Sequence, residues 1–128
     1  MLNPSTADAT QDDATIRRCV SFSHRWGHGG LVVVNLYAYR AIDPGDLWRV
    51  DNPVGPENND YIRHWARRCA TVVAAWGCFD GPGRRAIDVR SLLLRLGCKI
   101  YCLGTTRGGD PRHPVRLAAT TPLEVYRG

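Results

Sequence analysis

Apolar residues along the chain follow two rhythms. From Asp13 to Gly27, Ile16, Cys19, Val20, Ser23 and Trp26 recur at spacings of three and four, which places them on one face of a helix, where i, i+3, i+4 and i+7 stack. Asp12 or Asp13 supplies the N-cap, an acceptor for the first unpaired backbone N–H groups, and Gly27 ends the helix. LVVVNLYAY, from Leu31 to Tyr39, has no such period. It is a continuous β-branched and aromatic run, the pattern of a strand buried on both faces. TVVAAWG, from Thr71 to Gly77, and CKIYCLG, from Cys98 to Gly104, read the same way. Helical spacing returns from about Pro56 to Cys69, with Tyr61, Ile62, Trp65 and Cys69 inward. It returns again where GPGRR opens a helix through Leu92, Leu93 and Leu96 that Gly97 closes. Residues 40–60 carry three prolines and two Asn or Asp turn dipeptides and read as a long surface loop, a kind usually kept for function. TPLEVY near the end either adds an edge strand or lies across the surface.

Strands alternating with helices predict an α/β domain: three layers, α/β/α, with a short, mostly parallel sheet and right-handed crossovers. A chain of 128 residues makes one such domain, residues 1–128, large enough to bury a core without staples. In open α/β sheets ligands bind beyond the carboxyl ends of the strands. That rule singles out Asn35, which ends VVVN, and two polar loops, LNPST at Leu2–Thr6 and DPRHP at Asp110–Pro114. Asn3, Asn35 and His113 are the residues to explain.

Cysteines, histidines and length narrow the chemistry. The five cysteines are odd in number and show no CxxC spacing. Cys98 and Cys102, sharing a strand, stand about 13 Å apart, too far for a disulfide. All five read as reduced thiols, mostly core filler, in a cytoplasmic protein. His24 and His28 stand four apart, but Gly27 intervenes and no carboxylate or thiol completes a metal set. An iron-sulfur cluster would need four thiolates in loops, whereas most of these lie in helices or strands. Neither metal nor cofactor is expected. No run of about 18 apolar residues exists and no signal segment follows Met1, so no membrane association is expected.

The strings MLNPSTAD, DDATIRRC, GGLVVVNLYAYRA, DNPVGPEN, VVAAWG and CLGTTRGGDPRHPVRL follow one another over nearly the whole chain. They resemble the family catalogued as domain of unknown function 1643, a name that carries no activity. The resemblance implies a strand before LNPST. Only Met1 and Leu2 precede Asn3 here, so that strand is missing or another segment replaces it.

A more distant likeness is to the uracil-DNA glycosylase superfamily, whose members carry a similar order of loops on a small parallel sheet. There an Asn-Pro or Asp-Pro loop positions the attacking water, which Asn3 and Pro4 match, with Ser5 and Thr6 beside them. A later strand ends in an asparagine that reads the base edge, which Asn35 matches. A strand ending in Trp-Gly resembles Ala75, Trp76 and Gly77, and a final His-Pro loop is matched by His113 and Pro114, next to Arg112. The likeness implies His113 and Asn3 as catalytic residues. Cleaving a glycosidic bond builds negative charge on the departing base, so a donor is needed at its oxygen and a held water on the far side of the sugar. An asparagine amide offers the acceptor and donors that pair with an imide base. A base flipped from a duplex also needs an aromatic partner, for which Trp26, Tyr37 and Tyr39 are the candidates, while Trp76 of the Trp-Gly match is expected among the base-binding residues.

Each residue also has a plainer reading. Asn3 to Thr6 is an ordinary turn or capping string, Asn35 a backbone cap, and His113 a turn histidine. Asp8, Asp12 and Asp13 read as capping residues, with Asp8 or Asp12 alternatively polarising a water. The formal charge is +5, from 17 Lys+Arg against 12 Asp+Glu, and Arg17, Arg18, Arg84 and Arg85 lie near helix N-termini, where anions are favoured. Nucleic acid, DNA ahead of RNA, or a nucleotide is therefore the expected partner, with base excision or recognition as the expected function. The alternative is a non-catalytic binding module of the same fold.

Overall fold

Asp13 closes the first turn of the first helix, α1 (Ala14–Arg25), by accepting from the Thr15 N–H at 2.7 Å. The structure, a computed structural model, describes residues 1–4, 13–78 and 83–128. Helix α1 ends at Trp26, and Gly27 follows with a positive φ of 79°. Its inner face differs from the expected one. Phe22 and Ser23 are buried and Cys19 and Trp26 half-buried, whereas Ile16 and Val20 are 39% and 49% exposed. Residues 19, 22, 23 and 26 form their own i, i+3, i+4, i+7 set. What selects it is a small apolar cluster of Phe22, Leu103 and Leu117, to which Trp26 adds a ring stacked on Phe22 at 5.5 Å.

The remaining elements make a small α/β fold of three helices and a three-stranded mixed sheet among the described residues. Strand β1 (Val72–Val73) runs parallel to β2 (Ile100–Cys102), pairing Val72 with Ile100 and Val73 with Tyr101. The crossover between them carries α3 (Arg84–Arg95), which buries Val89, Leu92 and Leu93 and stops before Gly97 at φ 78°. The tail takes the first of its two expected forms: β3 (Glu124–Val125) pairs antiparallel with β2 at the edge. Helix α2 (Asn58–Ala66) packs on α3. It buries Ile62 and half-buries Trp65, but Tyr61 is exposed, and Cys69, beyond the end of the helix, is exposed as well.

Leu31–Tyr39, expected as a fully buried strand, does not join this sheet. Leu31 and Val32 are exposed, and only Leu36 and Tyr37 are buried. Its backbone partners are the first residues of the chain. The Leu36 and Tyr37 N–H groups donate to the Met1 and Leu2 carbonyls, each at 2.9 Å, and the Met1 ammonium donates to the Val34 carbonyl at 3.0 Å. A strand is only as long as the backbone beside it, and here that is two residues. Further on, Ala38 and Tyr39 donate to Val54 and Pro53.

The long loop is also less superficial than expected. A 3₁₀ turn (Pro44–Arg49), capped by Asp43 accepting from Gly45 N at 2.8 Å, sets Leu47 into the core with no exposed surface. Leu47 joins Leu36, Tyr37, Ile62, Trp76 and Ile100 there. Of the cysteines Cys102 is buried and Cys19 and Cys98 half-buried, while Cys69 and Cys78 are exposed and fill no core.

Candidate functional site

The segment Met1–Pro4 is fastened by its own asparagine. Asn3 Nδ2 donates to the Pro4 carbonyl at 3.0 Å and the Ala41 carbonyl at 2.9 Å. Because both partners are carbonyls, the amide nitrogen must face them. Asn3 Oδ1 is then an acceptor with no hydrogen bond among the described residues.

Asn35 and Leu36 are held from a different direction. Asn58 Nδ2, on the first turn of α2, donates to both of their carbonyls, at 3.0 and 2.9 Å. Arg85 Nε adds a 2.7 Å bond to Leu36 O. Asn58 was not singled out from the sequence, although it closes the string DNPVGPEN; a lone polar residue after a Pro turn gives little hint of a carbonyl 22 positions away.

His113 is the N-cap of a second 3₁₀ turn (Pro114–Arg116), and its Nδ1 accepts from the Val115 N–H at 3.3 Å. The histidine packs on the end of the Thr71–Gly77 run. A Cβ on Gly77 would lie 3.2 Å from His113 Cβ, and Gly77, at φ 76°, donates to Pro111 O at 2.9 Å. Burial, and then the positive charge of the Met1 ammonium, hold the His113 imidazole below its usual range, with Asp13 pulling the other way. The imidazole is neutral at pH 7, and with Nδ1 accepting, the hydrogen resides on Nε2. Met1 is itself buried, which lowers its ammonium from 8.0 to about 6. His113 thus feels the charges of both Met1 and Asp13. The chain start, the amino end of α1 and the DPRHP loop are electrostatic neighbours.

The other expected site residues are differently placed. Tyr37 and Trp76 are core residues: Tyr37 meets Trp48 edge to face at 5.5 Å, and Trp76 meets Tyr126 at 5.8 Å. Pro114 is fully buried, whereas the Arg112 side chain is exposed. Trp26 is half-buried and Tyr39 exposed. Arg17 and Arg84 are exposed and Arg18 half-buried. Arg85 turns inward to Leu36 beside Tyr37, where desolvation lowers its pKa and its Nη2 has no hydrogen-bond partner among the described residues. Ser5, Thr6, Asp8 and Asp12 lie outside the described residues. No group of three or more His, Cys, Asp or Glu that could hold a metal occurs among the described residues. No helix among them is long and apolar enough to cross a membrane.

Residues 1–115 match the family model described as "Protein of unknown function (DUF1643)", and the chain belongs to that family. No curated protein and no solved structure matches it.

Proposed function

For this member of the family we propose base recognition and excision on nucleic acid, DNA ahead of RNA, on a fold of the uracil-DNA glycosylase kind. Asn35 reads the edge of a flipped-out base, and Asn3 and His113 carry the release. The observation that carries this reading is the state of His113: a neutral imidazole whose Nδ1 is occupied by Val115 N–H. That leaves Nε2–H as a donor, the group suited to the negative charge that grows on an oxygen of the departing base. Asn3, its Nδ2 committed to two carbonyls, offers Oδ1 to orient a water. The C–N bond breaks with its electron pair on the base and the water oxygen bonds the sugar carbon. The proton lost by that water passes to solvent, and the base anion regains one from it.

The binding-module reading has its own support. The Asn3 amide braces the turn whether or not a reaction follows, and the rings of Tyr37 and Trp76 are occupied in the core, which leaves stacking to Tyr39 or Trp26. Oligonucleotides carrying uracil or a modified base, assayed for abasic product, separate the two. Abasic product supports excision. Binding without product favours the module, and neither result on any substrate ends both readings.

A further inference from the structure

Between Gly104 and His113 the chain folds back on itself in a short hairpin. Thr105 bridges Pro111, Thr106 N donates to Asp110 O at 2.8 Å, and Arg112 N donates to Gly104 O at 3.0 Å. The turn is closed by Gly109 N, which donates to Thr106 O at 3.0 Å from a backbone at φ 89°, and by Asp110 N, which donates to Thr106 Oγ1 at 3.2 Å. Arg107 and Gly108 are the two central residues of this turn. Both are exposed, and their N–H groups have no hydrogen-bond partner among the described residues. The hairpin does little for the core, because Pro111 is the only buried residue in Thr105–Pro111. Pro111 O takes the Gly77 N–H at 2.9 Å, which fastens the base of the hairpin to the end of the Thr71–Gly77 run, where His113 packs.

Its charge is one-sided. Residues 104–116 carry Arg107, Arg112 and Arg116, all exposed, against the single carboxylate of Asp110. None of the three is in an ion pair among the described residues, whereas Arg49 and Arg63 are each held by an aspartate three positions earlier. Arg112 lies back along the partner strand, with its Cδ 3.5 Å from where a Cβ on Gly104 would stand. At Gly108 a Cβ would make only ordinary contacts, 3.7 Å to Asp110 Oδ2 and 3.8 Å to Thr106 Oγ1, and its φ is not positive. The fold therefore does not require glycine at 108, but a ligand that comes close to the backbone there does. We propose that this hairpin is a finger for a phosphodiester backbone: Arg107 and the free N–H groups of Arg107 and Gly108 hold one phosphate at the tip, and Arg112 holds another at the base, on the nucleic acid whose base is offered to His113. A planar guanidinium beside backbone N–H donors matches the oxygens of a phosphate, and a turn already ordered by its own hydrogen bonds loses little freedom on binding. The inference takes its partner from the function proposed above but does not depend on excision.

The test is a fluorescence-anisotropy titration of the full chain with a fluorescein-labelled DNA duplex of ordinary bases, repeated over a series of salt concentrations, so that binding is read apart from base release. Arg107→Gln and Arg112→Gln are each expected to reduce the slope of log affinity against log salt by about 1, and the double variant by about 2. Gly108→Val should weaken binding about tenfold, the scale of losing one hydrogen bond to a charged group, while its Tm stays that of the wild type. A double arginine variant with the wild-type slope overturns the proposal, as does a Gly108→Val protein that binds as tightly as the wild type, or a wild type that binds no duplex. Abasic product from the wild type together with an unchanged slope in the arginine variants removes the finger and leaves excision standing. Binding through the hairpin with no abasic product on any substrate does the reverse.

Discussion

At the scale of single residues, the site rests on side chains that brace backbone. Among the described residues Asn58 alone donates to the Asn35 carbonyl, and it shares Leu36 with Arg85. Asn58→Ala is expected to cost about 1–3 kcal/mol, the penalty for half-buried carbonyls losing a donor, and Asn58→Asp, which cannot donate, should do no better. A urea midpoint unchanged in both variants would contradict this role. Titration gives a second expectation. The Met1 amine and His113 both hold protons less well folded than unfolded, so the unfolded chain takes up protons as pH falls and stability drops. The amine's contribution is full above pH 8 and lost on descent through about 6. That of His113 is full above 6.5 and lost through its lower folded value. Amino-terminal acetylation should abolish the first part and His113→Gln the second, read from urea midpoints across pH 5–9. Asn3, Asn35 and His113 could be picked out because polar residues after apolar runs are conspicuous. Asn58 and the inward turn of Arg85 could not, because both answer to a carbonyl far away in the sequence.

Among elements, the helices were the more legible. The ends of α1 and α3 follow from Asp13, Gly27 and Gly97, whose chemistry is local. The face of α1 is not local: the stripe through Ile16 and Val20 and the one through Cys19, Phe22 and Trp26 are both regular. Only the position of Leu103 and Leu117 decides between them. Phe22→Ala should therefore cost about 3–5 kcal/mol, and Val20→Ala, on the exposed side, within about 0.5 kcal/mol; calorimetry showing equal losses would restore the other face. Leu31–Tyr39 shows the limit for strands. Its composition announces a buried strand, but a ladder needs an edge on each side, and among the described residues the backbone N–H groups of Leu36 and Tyr37 bond only Met1 and Leu2. Leu47 went unnoticed because Pro44 and Gly45 advertise a surface turn while the 3₁₀ geometry drives the next apolar residue inward.

For the molecule as a whole, the excess of arginine matters through where the guanidinium groups point. If nucleic acid is the partner, Arg84→Gln and Arg18→Gln should each reduce the slope of log affinity against log salt by about 1. Arg85→Gln should leave the slope alone and lower Tm, since its Nε holds Leu36 O. An Arg85 effect on the slope without loss of stability would place that guanidinium outside. The proposed function has this assembly of loops excise a base with a neutral His113 as donor. It is tested most directly by single-turnover release of uracil and modified bases from oligonucleotides by the wild type and His113→Ala, with folding of the variant verified by its circular dichroism. Abasic product is expected from the wild type, with a rate at least about 10²-fold lower in the variant, the scale of losing one preorganised donor. No product from the wild type on any substrate, or an undiminished rate in the variant, would contradict it.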